Sequence, residues 1–105
     1  MICAEFLMRD SSLCGFSVRG HAGAAALGKD VVCAAVSSAV YMTANTITEV
    51  YGCKANVCEG EGMLTLSVKR GEEAKVQMIL QGLMLHINGL SAQYPQYIQV
   101  QQTEV

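Results

Sequence analysis

Tryptophan is absent, proline occurs once, and only 15% of the 105 residues are charged. With no proline-rich or highly charged stretch, nothing in the chain reads as a linker or a disordered tail. A 51% hydrophobic composition supplies the apolar surface that folding needs. A chain of 105 residues fills one core, so a single domain over 1–105 is expected. Basic residues are also few. Arg9, Arg19, Lys29, Lys54, Lys69, Arg70 and Lys75 are scattered, and the net charge is −2. That is no footprint for a polyanion, so direct nucleic-acid binding is not expected. The strongest apolar run, 31–42, is short and full of Ala and Ser for a bilayer span, so no membrane partner is expected. The start, "MICAEFLMRD", has no basic segment and carries Glu5 among its apolar residues, unlike a signal peptide. The glycines of 20–28 match neither a P-loop nor G-x-G-x-x-G. Cys3, Cys14, Cys33, Cys53 and Cys58 are odd in number and lack C-x-x-C spacing. Reduced thiols in a cytoplasmic protein are expected, with no metal and no cofactor.

What is present is alternation, then helical periodicity, twice over. Ile2, Ala4, Phe6 and Met8 alternate with Cys3, Glu5 and Leu7, and Cys14, Phe16 and Val18 alternate with their neighbours over 13–20. "RDSS" between them reads as a hairpin turn. "EGEG" separates "CKANVC" from "MLTLSV" in a second hairpin over 53–69, which puts Cys53 and Cys58 at opposite ends of one strand. Residues 30–51 lose the alternation and predict a helix apolar around most of its circumference, with Asp30 as N-cap and Gly52 as its stop. A second helix is predicted over 72–88. Val76, Leu80, Leu83, Ile87 and Leu90 fall at helical spacing, Glu72 and Glu73 suit its positive end, and Gly89 ends it. "YIQVQQ" after Pro95 reads as a last strand. The order ββαββαβ predicts an α+β fold, one mostly antiparallel sheet with two helices packed on one face.

The chemistry-bearing residues cluster around "GHAGAAALGKDVVCAAVS", Gly20 to Ser37. With Asp30 as N-cap, Cys33 falls in the first helical turn, where free N–H groups and the dipole favour an anion such as a thiolate. A helix end supplies only about 0.3–1 kcal/mol, so an imidazolium from His21 is the larger contribution. Such a pair suits acyl transfer: Cys33 attacks a carbonyl, His21 passes the proton to the leaving amine, and helix-start N–H groups hold the oxyanion. Asp30 either caps the helix or faces the His21 ring. Ser37 lies one turn below Cys33, near the thiol or as a small packing residue. A Cys in a helix start with one upstream His is, on spacing alone, more often structural than catalytic.

The run from Gly20 to Ser37, with its histidine and cysteine flanking a short loop, resembles the signature of the ribosomal-processing cysteine protease family, Prp. Chain length and element order fit as well. The resemblance implies Cys33 as nucleophile and His21 as general acid/base, with Gly20, Asp30 and Ser37 at the other motif positions. It implies that Ala22, Gly23, Ala24, Ala25, Ala26, Leu27, Gly28 and Lys29 form a mobile substrate loop. It further implies a cytoplasmic homodimer that removes the N-terminal extension of a large-subunit ribosomal protein precursor, cutting after an aromatic residue. The loop is poor in polar and aromatic side chains, so backbone hydrogen bonds by strand addition are expected to hold the peptide. The competing reading is a non-enzymatic ribosome-assembly or adaptor module with a docking loop and a core Cys33. A weaker one is a thiol redox sensor.

His86 reads as a partly exposed helix histidine, and the six methionines as core filler and oligomer surface. Cys3 and Cys14 are expected close across the first hairpin. Nothing in the sequence chooses among Tyr41, Tyr51, Tyr94 and Tyr97 as contacts for an aromatic substrate.

Overall fold

A computed structural model describes residues 1–20 and 27–105, the side chains of 27–30 excepted. Strands β1 (Ile2–Arg9) and β2 (Ser12–Arg19) form the first hairpin. Its two-residue turn places Asp10 and Ser11 at φ 52° and 67°, the left-handed pair that matches strand twist in a tight hairpin. Helix α1 (Leu27–Asn45) follows and continues into a turn of π-helix, Thr46–Val50. The second hairpin is β3 (Ala55–Gly60) with β4 (Met63–Val68), and then come α2 (Glu73–Gln93) and β5 (Ile98–Glu104).

The sheet order is β3-β4-β2-β1-β5, antiparallel throughout except where β5 runs parallel to β1. Ile2, Ala4, Phe6, Phe16, Leu64, Leu66 and Val68 are buried on the helical side, packed with Val32, Val36, Val40 and Ile47 of the first helical segment and Val76, Leu80, Leu83 and Ile87 of α2. The alternation holds until a bulge between Leu7 and Met8, after which Leu13 opposes Met8. Bulges re-aim side chains. Here the extra residue is Cys14, wholly buried, while Cys3 pairs with Arg19 at the far end of the hairpin. The two cysteines expected to be close are therefore apart. Cys53 likewise precedes β3 instead of opening it. It is buried, and its N–H donates to the Ile47 carbonyl at 3.0 Å.

Both helices depart from the sequence expectation. Helix α1 begins at Leu27, so Leu27, Gly28 and Lys29 are helical and not loop, and Asp30 lies inside the first turn and not at the N-cap. Burial is one-sided as well, since Val31, Met42 and Val50 stay exposed. The helical segment Val31–Val50 is also long and apolar enough to cross a membrane by length and composition, which the shorter run 31–42 concealed. Its inner row is nevertheless committed to the core. Helix α2 runs through Gly89 to Gln93, because Leu90 still packs on the core and the Ser91 hydroxyl donates to the Ile98 carbonyl at 3.0 Å. Pro95 then forbids continuation.

The start of α2 is tied to the sheet by charge. Glu72 accepts from the Lys54 N–H at 2.9 Å and pairs with Lys75 at 2.7 Å. Glu73 accepts from the Gly71 N–H and from Arg9, both at 2.8 Å. The Arg9 guanidinium, helped by backbone N–H groups, holds the Glu73 carboxyl at about 2, below the usual carboxylate range. A lowered folded-state value means stability that is full above the ordinary carboxylate range and drains as pH falls toward about 2. Stability measured by urea unfolding is expected to decline across that window, and Glu73→Gln is expected to flatten the decline.

Glycine positions give opposite forecasts. A Cβ on Gly15 would lie 1.9 Å from the Leu66 carbonyl oxygen, whereas one on Gly82 meets nothing within 4 Å. Gly15→Ala is expected to cost about 1–3 kcal/mol or more by overpacking. Gly82→Ala should gain about 0.4–1 kcal/mol by stiffening the unfolded chain. Denaturant midpoints of the two variants, moving in opposite directions, check both.

Candidate active site

Cys33, Ser37 and Tyr41 are spaced four apart on α1, so they form one stripe along the helix. It lies one residue, about 100° of rotation, from the buried row Val32, Val36 and Val40. That offset leaves Cys33 half-buried at the margin of the core, with Ser37 and Tyr41 more exposed. The stripe faces the tip of the β3–β4 hairpin. Together they enclose a cleft of about 240 Å³, with Gly20, Gly60, Gly62 and Met63 among its lining and Ile2, Val18 and Leu64 as its apolar floor.

Gly20 follows β2 at φ 98°, and a Cβ there would sit 2.3 Å from the Met1 carbonyl oxygen, so only glycine fits. Its N–H donates to the Gly62 carbonyl at 2.9 Å, fastening the hairpin tip beside the end of β2. Three of the expected site residues, Gly20, Cys33 and Ser37, are thus gathered around one cleft. His21 and Ala22, Gly23, Ala24, Ala25 and Ala26 of the expected loop lie outside the described residues. Asp30 contributes its backbone to the first turn of α1.

The earlier helix start changes the electrostatics expected at Cys33. The N–H groups without an intrahelical acceptor are those of the first turn, and Cys33 is the seventh residue of the helix. The dipole's influence also falls off within that turn. Ser37 does not pack between helices. It is exposed on the cleft.

The fold selects Tyr41 among the four tyrosines, although its distance of eight residues from Cys33 is a signal already present in the sequence. Its hydroxyl donates to the Glu59 carboxylate on β3. That bond raises the phenol above its ordinary value and keeps it protonated. Glu59, Gly62 and Met63 carry no such signal, since only the tertiary fold sets the hairpin tip against α1.

None of the five cysteines forms a disulfide, and no cluster of metal-ligating side chains occurs among the described residues. Cys33 is the cysteine in the cleft lining. Cys58 is exposed on β3 and His86 on α2.

The family model of the cysteine protease Prp matches residues 1–99. The chain belongs to the cysteine protease Prp family. Among solved structures, it is similar to SMU.848 from Streptococcus mutans, with 26% identity and a TM-score of 0.81 over 100% of this chain and 96% of that one. It is also similar to an essential ribosomal processing protease Prp from S. aureus in complex with a covalently linked product peptide, with 20% identity and a TM-score of 0.85 over 98% of this chain and 100% of that one. The same S. aureus protease in complex with a substrate peptide gives 19% identity, a TM-score of 0.85 and the same coverage. At those identities the S. aureus likeness speaks for the fold. A comparison with curated protein sequences finds no match.

Burial raises the thiols of Cys14 and Cys53 above the ordinary cysteine value. Only thiolates alkylate readily. Iodoacetamide is therefore expected to spare these two in the folded Prp-family chain and to reach them only in denaturant, as read by peptide mass mapping.

Proposed function

We propose that this cysteine protease is a processing endopeptidase that removes the short N-terminal extension of a large-subunit ribosomal protein precursor. Cys33 is its nucleophile and His21 its general acid/base. One observation carries the reading. The cysteine in the cleft lining stands on the wall opposite the hairpin tip that Gly20 fastens, and Gly20 directly precedes His21 in the chain.

In this mechanism the Cys33 Sγ attacks the carbonyl carbon of the scissile bond while its proton passes to the His21 ring. The tetrahedral intermediate expels the amine, which takes that proton, and leaves a thioester. Water, deprotonated by His21, then releases the carboxylate product and restores the thiol. Cys33 lies past the first turn of α1, so the imidazole carries most of the activation of sulfur. The Ser37 hydroxyl, on the same stripe, is a donor within the cleft for a substrate carbonyl. Asp30, on the first turn, orients the His21 ring.

The substrate's extended segment adds by backbone hydrogen bonds, helped by the residues between His21 and α1, and the apolar floor takes the aromatic residue before the cut. A cleft of about 240 Å³ is below the size usual for drug-sized ligands and suits one large side chain. The protein works in the cytoplasm as a homodimer, and the exposed Val31 and Met42 of α1 support such pairing.

The test is to incubate the chain with the ribosomal protein precursor and to read its mass. Wild-type protein is expected to remove the extension, and Cys33→Ala and His21→Ala to lower the rate by at least about 10³-fold with the fold intact. Cleavage by Cys33→Ala at the wild-type rate would falsify the assignment. Iodoacetamide is expected to modify Cys33 faster than the more exposed Cys58, and to block cleavage in step with that modification.

A further inference from the structure

We infer that Tyr41 and Glu59 form a clasp across the cleft that fixes its far wall and thereby selects the size of the side chain admitted beside Cys33. The inference rests on the proteolytic reading above and assigns specificity to two residues that take no part in the chemistry.

Cys33, Ser37 and Tyr41 are on successive turns of α1, so the stripe rises about 12 Å from the nucleophile to the tyrosine. Helical side chains lean toward the N-terminus, which brings the Tyr41 ring back toward Cys33 and leaves the intervening space as the pocket. Of the four tyrosines, Tyr41 is the one in the cleft lining. Its hydroxyl donates to Glu59, which pairs with Leu64 in the register of the hairpin, and both Leu64 and Gly60 line the cleft. The bond therefore joins the two walls.

Strand β3 has little else to hold it against α1. It is an edge strand paired with β4, and residues 56–60 are exposed. An edge strand so lightly packed moves unless something fastens it. Its ladder with β4, itself paired to β2, fixes it within the sheet, the Gly20 N–H to the Gly62 carbonyl extends that pairing to the hairpin tip, and the Tyr41 hydroxyl to the Glu59 carboxylate is the tie that reaches α1. A hydrogen bond to an ionised carboxylate is stronger than one between neutral groups. Removing the tie to α1 lets the wall retreat, so a larger side chain enters and discrimination falls.

The experiment measures kcat/KM for peptides that differ only in the residue before the cut, Phe against Trp, with wild type, Tyr41→Phe, Glu59→Ala and the double variant. The Phe-over-Trp ratio is expected to fall about fivefold in each single variant, and no further in the double, because both break one bond. Partial unfolding lowers both rates together and leaves the ratio unmoved. An unchanged ratio, or effects of the two substitutions that add, overturns the proposal. Hydrogen exchange at the amides of Gly60 and Met63 in the substrate-free protein is expected to quicken in all three variants, and unchanged exchange overturns the clasp. If wild type cuts neither peptide, the proteolytic reading fails and the selective role with it. The exchange measurement still decides the clasp.

Discussion

At the end of β2, Gly20 packs its backbone against the Met1 carbonyl on one side, where a Cβ would lie 2.3 Å from that oxygen, and donates its N–H to the Gly62 carbonyl at 2.9 Å on the other. Any other residue would have to overcome both a positive φ and a contact far inside van der Waals range. That bond extends the β2–β4 ladder by one rung and, with the ladder, keeps the tip of the β3–β4 hairpin beside the strand end from which the chain leads to His21. With the tip in place, the opposite wall of the cleft is the α1 stripe that carries Cys33. The site therefore depends in part on backbone geometry at a glycine, the residue that precedes the proposed general acid/base, His21.

Helix α1 serves two surfaces with neighbouring rows of its sequence. Val32, Val36 and Val40 enter the core, and the residue after each of them, Cys33, Ser37 and Tyr41, faces the cleft. A rotation of about 100° separates the rows, so the cleft residues sit where core gives way to solvent. A cysteine one position earlier would be sealed in hydrocarbon, and two positions earlier or later it would leave the cleft. The position that remains gives a thiol both a low-polarity neighbourhood and access to a peptide.

Much of this is legible in the chain. The pattern of the chain locates all five strands and both helices in order, and Gly20, Cys33 and Ser37 of the motif line one cleft. The departures have nameable reasons. The cap preference of Asp30 is a local signal, while α1 begins at Leu27 with Gly28 inside it. Gly89 is a stop by propensity, yet Leu90 and Ser91 hold α2 together from outside by packing and a hydrogen bond. Cys3 and Cys14 are apart because the two-residue turn fixes the register: Cys3 pairs with Arg19 at the open end of the hairpin, while Cys14 sits in the bulge beside Leu7 and Met8 near the turn. Glu59 and Met63 meet α1 only through a fold with strand order β3-β4-β2-β1-β5, which no local pattern encodes.

The helix boundary carries the widest consequence. With Cys33 in the first turn, sulfur would share its activation between a dipole and an imidazole, and the same N–H groups would stabilise the oxyanion. Six residues into the helix, the thiol loses the nearer of those supports, since the dipole's effect fades within a turn. In the proposed mechanism activation then rests on the ring, whose formal charge exceeds a screened partial charge at similar distance. Under that proposal such a site needs the His21 ring and the Cys33 thiol in one geometry. The bonds to the Gly62 carbonyl and the Glu59 carboxylate bear on that geometry from the wall side, since they join the hairpin to the end of β2 and to α1.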